Sequence, residues 1–282
     1  PETSTQTATH TETLTPTVAE TSTERISEIL SCSASLRAAA DSRGLLVGAG
    51  ASPEFLGDAR YARTLAREFN FLTPENAMKW GPIHPTPDHW EFGPADTLVK
   101  FASDHQMKVK GHAVIWDKMS LPYWVTMAMS SEELRQAMQE HIHTLVGRYR
   151  GRVYAWDIVN EAVDDTEGLR KGLFFQKLGE EYIADAYRLA HEADPDALLF
   201  YNDYNAEAAA GWRKGKSDRV YALVKKLLAN GVPIHGVGLQ MHIWTATDYP
   251  RPEDIAANIR RLVALGLKVN IGEMDVQIKD VP

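Results

Sequence analysis

The 282-residue sequence predicts an α/β fold in which parallel strands, each followed by a covering helix, are arranged as a barrel. Three observations carry that expectation. Short apolar runs alternate with amphipathic stretches seven times, with no block of strands or helices alone, which is the pattern of a parallel sheet clothed by helices. Polar residues collect at the C-terminal ends of six successive strands, and a barrel gathers such ends into a ring, whereas an open sheet gathers them in a crevice. With 44% hydrophobic residues the chain can bury one large core, and single barrels of about 250 residues are ordinary.

The first strand is expected over residues 45–49, with Tyr61, Leu65 and Phe69 at four-residue spacing marking a helix behind it. Gly48-Ala49-Gly50 begins like a dinucleotide fingerprint, but Pro53 stands where the third glycine belongs, which argues against a nucleotide site. Residues 71–73 form a second strand running into Glu75, Asn76 and Lys79. A third, over 109–116, contains His112 and Trp116. The helix after it carries Leu134, Met138, Ile142 and Leu145. In the fourth strand, over 153–159, β-branched and aromatic residues favour a buried pleated surface and end abruptly in Asn160-Glu161. A helix through Leu178, Ile183, Ala186 and Leu189 leads to a fifth strand over 197–201 and to Asn202-Asp203-Tyr204. The sixth, over 235–239, delivers Gln240-Met241-His242. A helix with Ile255, Ile259, Leu262 and Val263 leads to the seventh, which starts at Lys268 and ends in Glu273 and Asp275.

Bulk composition narrows the function classes. A formal charge of −8 argues against a phosphate-binding surface and so against a nucleic-acid partner; a neutral polymer suits the chain better. The single cysteine, Cys32, excludes an internal disulfide and a thiolate cage for zinc or iron–sulfur. No metal and no cofactor are expected; His141 and His143 are two residues apart, on different faces of a helix, and read as solvated. No apolar run approaches the roughly 18 residues that span a bilayer. Residues 1–24 are rich in threonine and serine and read as a disordered linker, of the kind that tethers extracellular catalytic modules, with a catalytic domain over 25–282. A secreted or extracytoplasmic location is the corresponding expectation.

Two strand-end glutamates, Glu161 and Glu273, are the residues a glycosidase needs: one acid to protonate the leaving oxygen and one carboxylate to attack the anomeric carbon. Residues 73–80 (TPENAMKW), 111–116 (GHAVIW), 156–161 (WDIVNE), 240–242 (QMH) and 272–275 (GEMD) together resemble, in order, the signatures of glycoside hydrolase family 10. The resemblance runs from about Ser35 to the end of the sequence. It implies a (β/α)8 barrel and a retaining endo-1,4-β-xylanase acting on xylan or xylo-oligosaccharides. It further implies Glu161 as general acid/base and Glu273 as nucleophile, their carboxyl groups about 5 to 5.5 Å apart. At that separation the charge of one carboxylate favours the protonated form of the other until the first is esterified.

By the same resemblance Asn160 donates to the sugar 2-hydroxyl, His242 orients Glu273 with Asp275 as its partner, and Gln240 borders the nucleophile. Glu75, Asn76, Lys79 and His112 bind hydroxyls of the glycone sugars. Trp116 and Trp80 are candidates for stacking on sugar faces, core packing being the rival for Trp80; Tyr204 and Trp244 are further candidates. Residues 117–122 (DKMSLP) depart from the family, which usually carries His and Gln before Leu-Pro, and this bears on glycone hydrogen bonding. The sequence ends at Pro282, just past the seventh strand. The eighth β/α unit is therefore expected to be lacking, so that the chain would be a fragment or be completed by a complementing C-terminal segment; otherwise a monomer is expected. A β-1,4-glucan hydrolase on the same barrel, and a non-catalytic carbohydrate-binding fragment, stay open as alternatives.

Overall fold

The structure is a computed structural model that describes residues 35–244 and 249–278; the linker expected over 1–24 lies outside the described residues. In chain order the described strands are β1 (Gly48–Ala51), β2 (Phe71–Pro74), β3 (Lys108–Gly111), β4 (Ala155–Asn160), β5 (Leu198–Asp203), β6 (Gly236–Leu239), β7 (His242–Trp244), β8 (Lys268–Ile271) and β9 (Asp275–Gln277). Seven of them form one sheet in the order β1-β2-β3-β4-β5-β6-β8, every neighbouring pair parallel. Gly48, Ala49 and Gly50 of β1 and residues 270–272 at the end of β8 line one cleft of about 680 Å³. The sheet therefore curls until its first and last strands face each other, the geometry of a (β/α)8 barrel wall with seven strands among the described residues.

The helices cover this wall as the apolar spacing predicts. Ser131–Arg148 opens on a reciprocal capping box between Ser130 and Glu133, which satisfies two otherwise orphaned amides. Its Leu134, Met138, Ile142 and Leu145 are all buried in the core. His141 shares that face and is fully buried, its ring stacked on Trp80 at 4.0 Å, so the expectation of a solvated histidine there is corrected. Burial holds His141 in its neutral form, far below the usual imidazole range. The single helix expected through Leu178 and Leu189 is two, Leu173–Leu178 and Tyr182–Ala193, parted at Gly179, whose φ of 72° ends the first.

Strand boundaries move as well, most at the first, third and seventh strands; the seventh, expected to run on to Asp275, stops at Ile271, and Asp275 opens β9, which pairs with β7 outside the main sheet. β1 begins at Gly48, leaving Leu45 and Leu46 exposed. It approaches β2 so closely that a Cβ at Gly48 would meet the Phe71 carbonyl oxygen at 2.7 Å, which only glycine avoids. β3 stops at Gly111, and the apolar residues after it bury themselves differently: Val114 and Ile115 donate their amides to the Asp157 and Ile158 carbonyls of β4, both at 2.9 Å. The turn that results carries His112 over the end of the sheet.

Candidate active site

Glu161 follows directly on β4. Its amide donates to the Asn202 carbonyl at 2.9 Å, and its φ of 57° places a non-glycine residue in the left-handed region. Such a conformation costs on the order of 1–3 kcal/mol and persists where surrounding contacts over-determine it. Glu273 lies beyond β8, and its amide donates to the Gln240 carbonyl at 3.1 Å. Backbone hydrogen bonds to carbonyls in β5 and just beyond β6 thus hold the two acidic residues, and their side chains are joined by amides. Asn202 Nδ2 donates to Glu273 Oε1 at 2.7 Å and to Asn160 Oδ1 at 2.9 Å. Gln240 Nε2 donates to Glu161 Oε1 at 3.3 Å and lies 3.4 Å from the same Asn160 oxygen. Asn160 Oδ1 is the hub of a bridge from one carboxyl group to the other. Asn160 Nδ2 and Glu161 Oε2 are buried with no hydrogen bond among the described residues.

On its other side Glu273 meets His242, whose Nε2 lies 3.4 Å from Glu273 Oε2 and 3.1 Å from Gln240 Oε1, while its Nδ1 lies 2.6 Å from Asp275 Oδ2. The local fold explains this juxtaposition. β7 and β9 pair in parallel with His242 opposite Asp275, so the pairing register itself sets the imidazole against the carboxylate. The hydrogen bond to Glu273, with help from Asp275, raises His242 to about 9 against the cost of burial. Burial would raise Glu273, but His242, the charge of His112 and the Asn202 amide outweigh it and hold Glu273 at about 2. Glu273 is an ionised carboxylate facing an imidazolium.

The cleft above Glu273 is polar. Glu75, Asn76, Lys79 and His112 line it together with the nucleophile candidate. Glu75 Oε2 accepts from Ser52 Oγ at 3.1 Å, and Lys79 Nζ donates to Asn76 Oδ1 at 2.8 Å. Burial pushes the Lys79 ammonium down, while the charges of Glu273, Glu75 and Glu161 pull it up, so all three carboxylates lie within its field. His112 Nδ1 lies 2.9 Å from Asp157 Oδ2, which also accepts from Lys110 at 2.8 Å; Lys110 in turn donates to Asn270 of β8 at 2.9 Å. Trp116 is half-buried with Lys79 Nζ 5.2 Å from its ring centre.

Trp80 does not belong to this cleft, and its candidacy for sugar stacking is corrected. It is fully buried, stacked on His141 and Phe174 and edge-on to Trp124 at 6.4 Å, because the short helix Trp80–Ile83 turns it inward under the helix Ser131–Arg148. Tyr204 stands on the Glu161 side. Its hydroxyl donates to Asp165 at 2.6 Å and accepts from Arg170, which also donates from Nε to the Glu161 carbonyl at 3.0 Å. Trp244 is exposed beside a shallower cleft with His242 and Asp275. Lys118, in the segment that follows Trp116, lies 3.8 Å from Glu161 Oε2.

Several residues with clear parts in the site received no role from the sequence: Asn202, named there only as a polar residue at a strand end, the Asp157–Lys110 pair and Arg170. The signal for Asn202 was present, an amide followed by an acid closing an apolar strand, but nothing local says whether such an amide faces the barrel or a neighbouring helix. Gly238 marks the answer. A Cβ there would lie 2.2 Å from Asn202 Oδ1, so β6 carries glycine where the Asn202 side chain crosses it. Among the described residues no cluster of three or more His, Cys, Asp or Glu side chains is placed to hold a metal ion, and no helix is long and apolar enough to cross a membrane.

A family model described as glycosyl hydrolase family 10 matches residues 35–282. A β-1,4-xylanase of Dictyoglomus thermophilum is 46% identical over 231 residues, 81% of this chain and 63% of that protein. An endo-1,4-β-xylanase B of Thermotoga neapolitana is 42% identical over 255 residues, 89% of this chain and 71% of that protein. Among solved structures, xylanase 10B from Thermotoga petrophila RKU-1 in complex with xylobiose superposes with a TM-score of 0.81 at 41% identity, covering 86% of this chain and 74% of that one. The chain thus spans somewhat under two thirds of the length of the Dictyoglomus relative.

Proposed function

The chain belongs to glycosyl hydrolase family 10, and from that premise we propose that it hydrolyses internal β-1,4-xylosidic bonds of xylan by double displacement with retention of configuration. The observation that carries the proposal is the amide bridge: two carboxyl groups from different strand ends are connected through Asn202, Asn160 and Gln240 over one polar cleft. In the first step Glu273, kept ionised by His242, attacks the anomeric carbon. Glu161 gives its proton to the departing glycosidic oxygen, so the C–O bond breaks as the glycosyl ester forms. In the second, Glu161 takes a proton from water, whose oxygen attacks the same carbon and expels Glu273 as carboxylate.

Asn160 Nδ2, buried with no hydrogen bond among the described residues beside both acids, is the donor for the sugar 2-hydroxyl. Glu75, Asn76, Lys79 and His112 bind glycone hydroxyls, and half-buried Trp116 presents a ring to a sugar face. Gln240 and His242 hold Glu273 and Glu161 in place, with Asp275 behind the imidazole; Tyr204 supports Glu161 through Arg170. The substrate is xylan or a xylo-oligosaccharide, and the enzyme acts as a monomer. The threonine-rich composition of residues 1–24 supports a secreted or extracytoplasmic location, which fractionation of the source cells tests.

Proton NMR of the first product released from xylan tests activity, polymer and stereochemistry together. The β-anomer should appear first and mutarotate; an α-anomer first excludes double displacement. Faster initial rates on carboxymethylcellulose than on xylan would replace the xylanase by a glucanase.

A further inference from the structure

Behind His242 lies a buried ion pair that touches neither carboxyl group of the proposed reaction. Glu207 follows β5, and Arg213 directly precedes the helix Lys214–Ala229; both side chains are almost wholly excluded from solvent, Arg213 Nη1 donating to Glu207 Oε2 at 2.7 Å. The Glu207 carbonyl is itself pinned by Asn258 Nδ2 at 3.2 Å. A buried pair of this kind is weak evidence for stability, because desolvation offsets the attraction. Apart from the Arg213 guanidinium lying 4.8 Å over the Trp212 ring, the other side-chain contacts of the pair converge on one turn. Glu207 Oε1 accepts from the Met241 amide at 3.1 Å, and Arg213 Nη2 donates to the His242 carbonyl at 3.1 Å.

That turn is strained. Met241 is a buried, non-glycine residue with φ of 67°, standing between the end of β6 and the start of β7. Its left-handed conformation lets Gln240 reach Glu161 and the next-but-one side chain, His242, reach Glu273. Residues in such conformations relax unless neighbouring contacts over-determine them.

We propose that Glu207 and Arg213 are positioning residues that clasp the Met241–His242 backbone and thereby set the imidazole of His242 against Glu273. This rests on the xylanase reading for its kinetic consequence, but its structural content does not. The charged groups facing the imidazole are Glu273, beyond β8, and Asp275 of β9, so displacement of the turn changes both contacts together.

The test uses the double variant Glu207→Gln/Arg213→Met, which leaves no buried charge without a counterpart, alongside Arg213→Lys, which keeps the charge but not the two-pronged donor. The His242 imidazole is followed by NMR against pH and assigned by its loss in His242→Gln. In the parent the midpoint should lie at about 9, raised by the contacts to Glu273 and Asp275. In the folded double variant the midpoint should fall by at least about one unit, and kcat should drop about 10- to 100-fold with KM little changed, as a slight misplacement of the nucleophile's partner predicts. Arg213→Lys should fall between the two. An unchanged His242 titration in both folded variants overturns the clasp, whatever happens to melting temperature. A parent that does not cleave xylan removes the xylanase reading, while the titration still decides the clasp.

Discussion

Asn202 donates its side-chain amide to Glu273 Oε1 at 2.7 Å, although the two residues lie 71 positions apart in the chain. A hydrogen bond to a charged acceptor contributes about 1.5–3 kcal/mol, so Asn202→Ala should lower kcat/KM by roughly 10- to 100-fold with the protein still folded. Gly238→Ala should reach a similar loss indirectly, because its Cβ would fall 2.2 Å from Asn202 Oδ1. Steady-state rates on an aryl xylobioside, with circular dichroism as the folding control, decide both.

Replacement of the nucleophile separates its chemistry from its place in the fold. Glu273→Ala should abolish turnover, and azide should restore partial cleavage of an activated aryl glycoside with an inverted product, because a small anion then occupies the vacated space. Wild-type-like rates in that variant would remove the assignment of Glu273.

The pH dependence of stability follows from the His242–Glu273 pair. His242 is raised to about 9 from an unfolded value near 6.5, so its contribution is complete below about pH 6.5 and lost as pH rises through about 9. Glu273 is lowered to about 2 from an unfolded value near 4.3, so its contribution is present above about pH 4.3 and lost as pH falls through about 2. The charged groups facing Glu273 are His242 from β7, His112 beyond β3 and Lys79 beyond β2. The difference in melting temperature between the parent and His242→Gln should therefore be largest between about pH 4.5 and 6.5 and shrink on both sides. A difference independent of pH would contradict the pairing.

Trp80 and Trp116 should part company on substitution. Trp80→Ala opens a cavity in a stack with His141 and Phe174, and should cost about 3–5 kcal/mol of unfolding free energy with KM for xylo-oligosaccharides unchanged. Trp116→Ala should leave the melting temperature nearly unchanged and raise KM, since its ring is half-buried at the cleft. Denaturant unfolding and KM for xylotriose check the pair.

Much of this architecture is legible in local pattern. Alternation of apolar strands with amphipathic helices records which faces are buried, and an acid or amide closing an apolar run records where a barrel strand reaches its mouth. Glu161, Glu273 and Gln240 stand out on those grounds, and His242 through the resemblance of residues 240–242 to a family signature. Local pattern says less about direction. Trp80 and Trp116 look alike as aromatics after strand ends, but only the packing of the helix Ser131–Arg148 turns the first into core.

The sequence by itself determined the alternating elements, the strand ends and the two acids; their mutual geometry belongs to the tertiary structure. The pairing of β7 with β9 sets His242 beside Asp275, the curl of the sheet brings Asn202 to Glu273, and the loop after β5 brings Glu207 and Arg213 beneath Met241. The physical reason is that burial and backbone preference are encoded within a few residues, whereas contacts between groups far apart in the chain depend on strand register and side-chain direction, which exist only once the sheet has curled around its core.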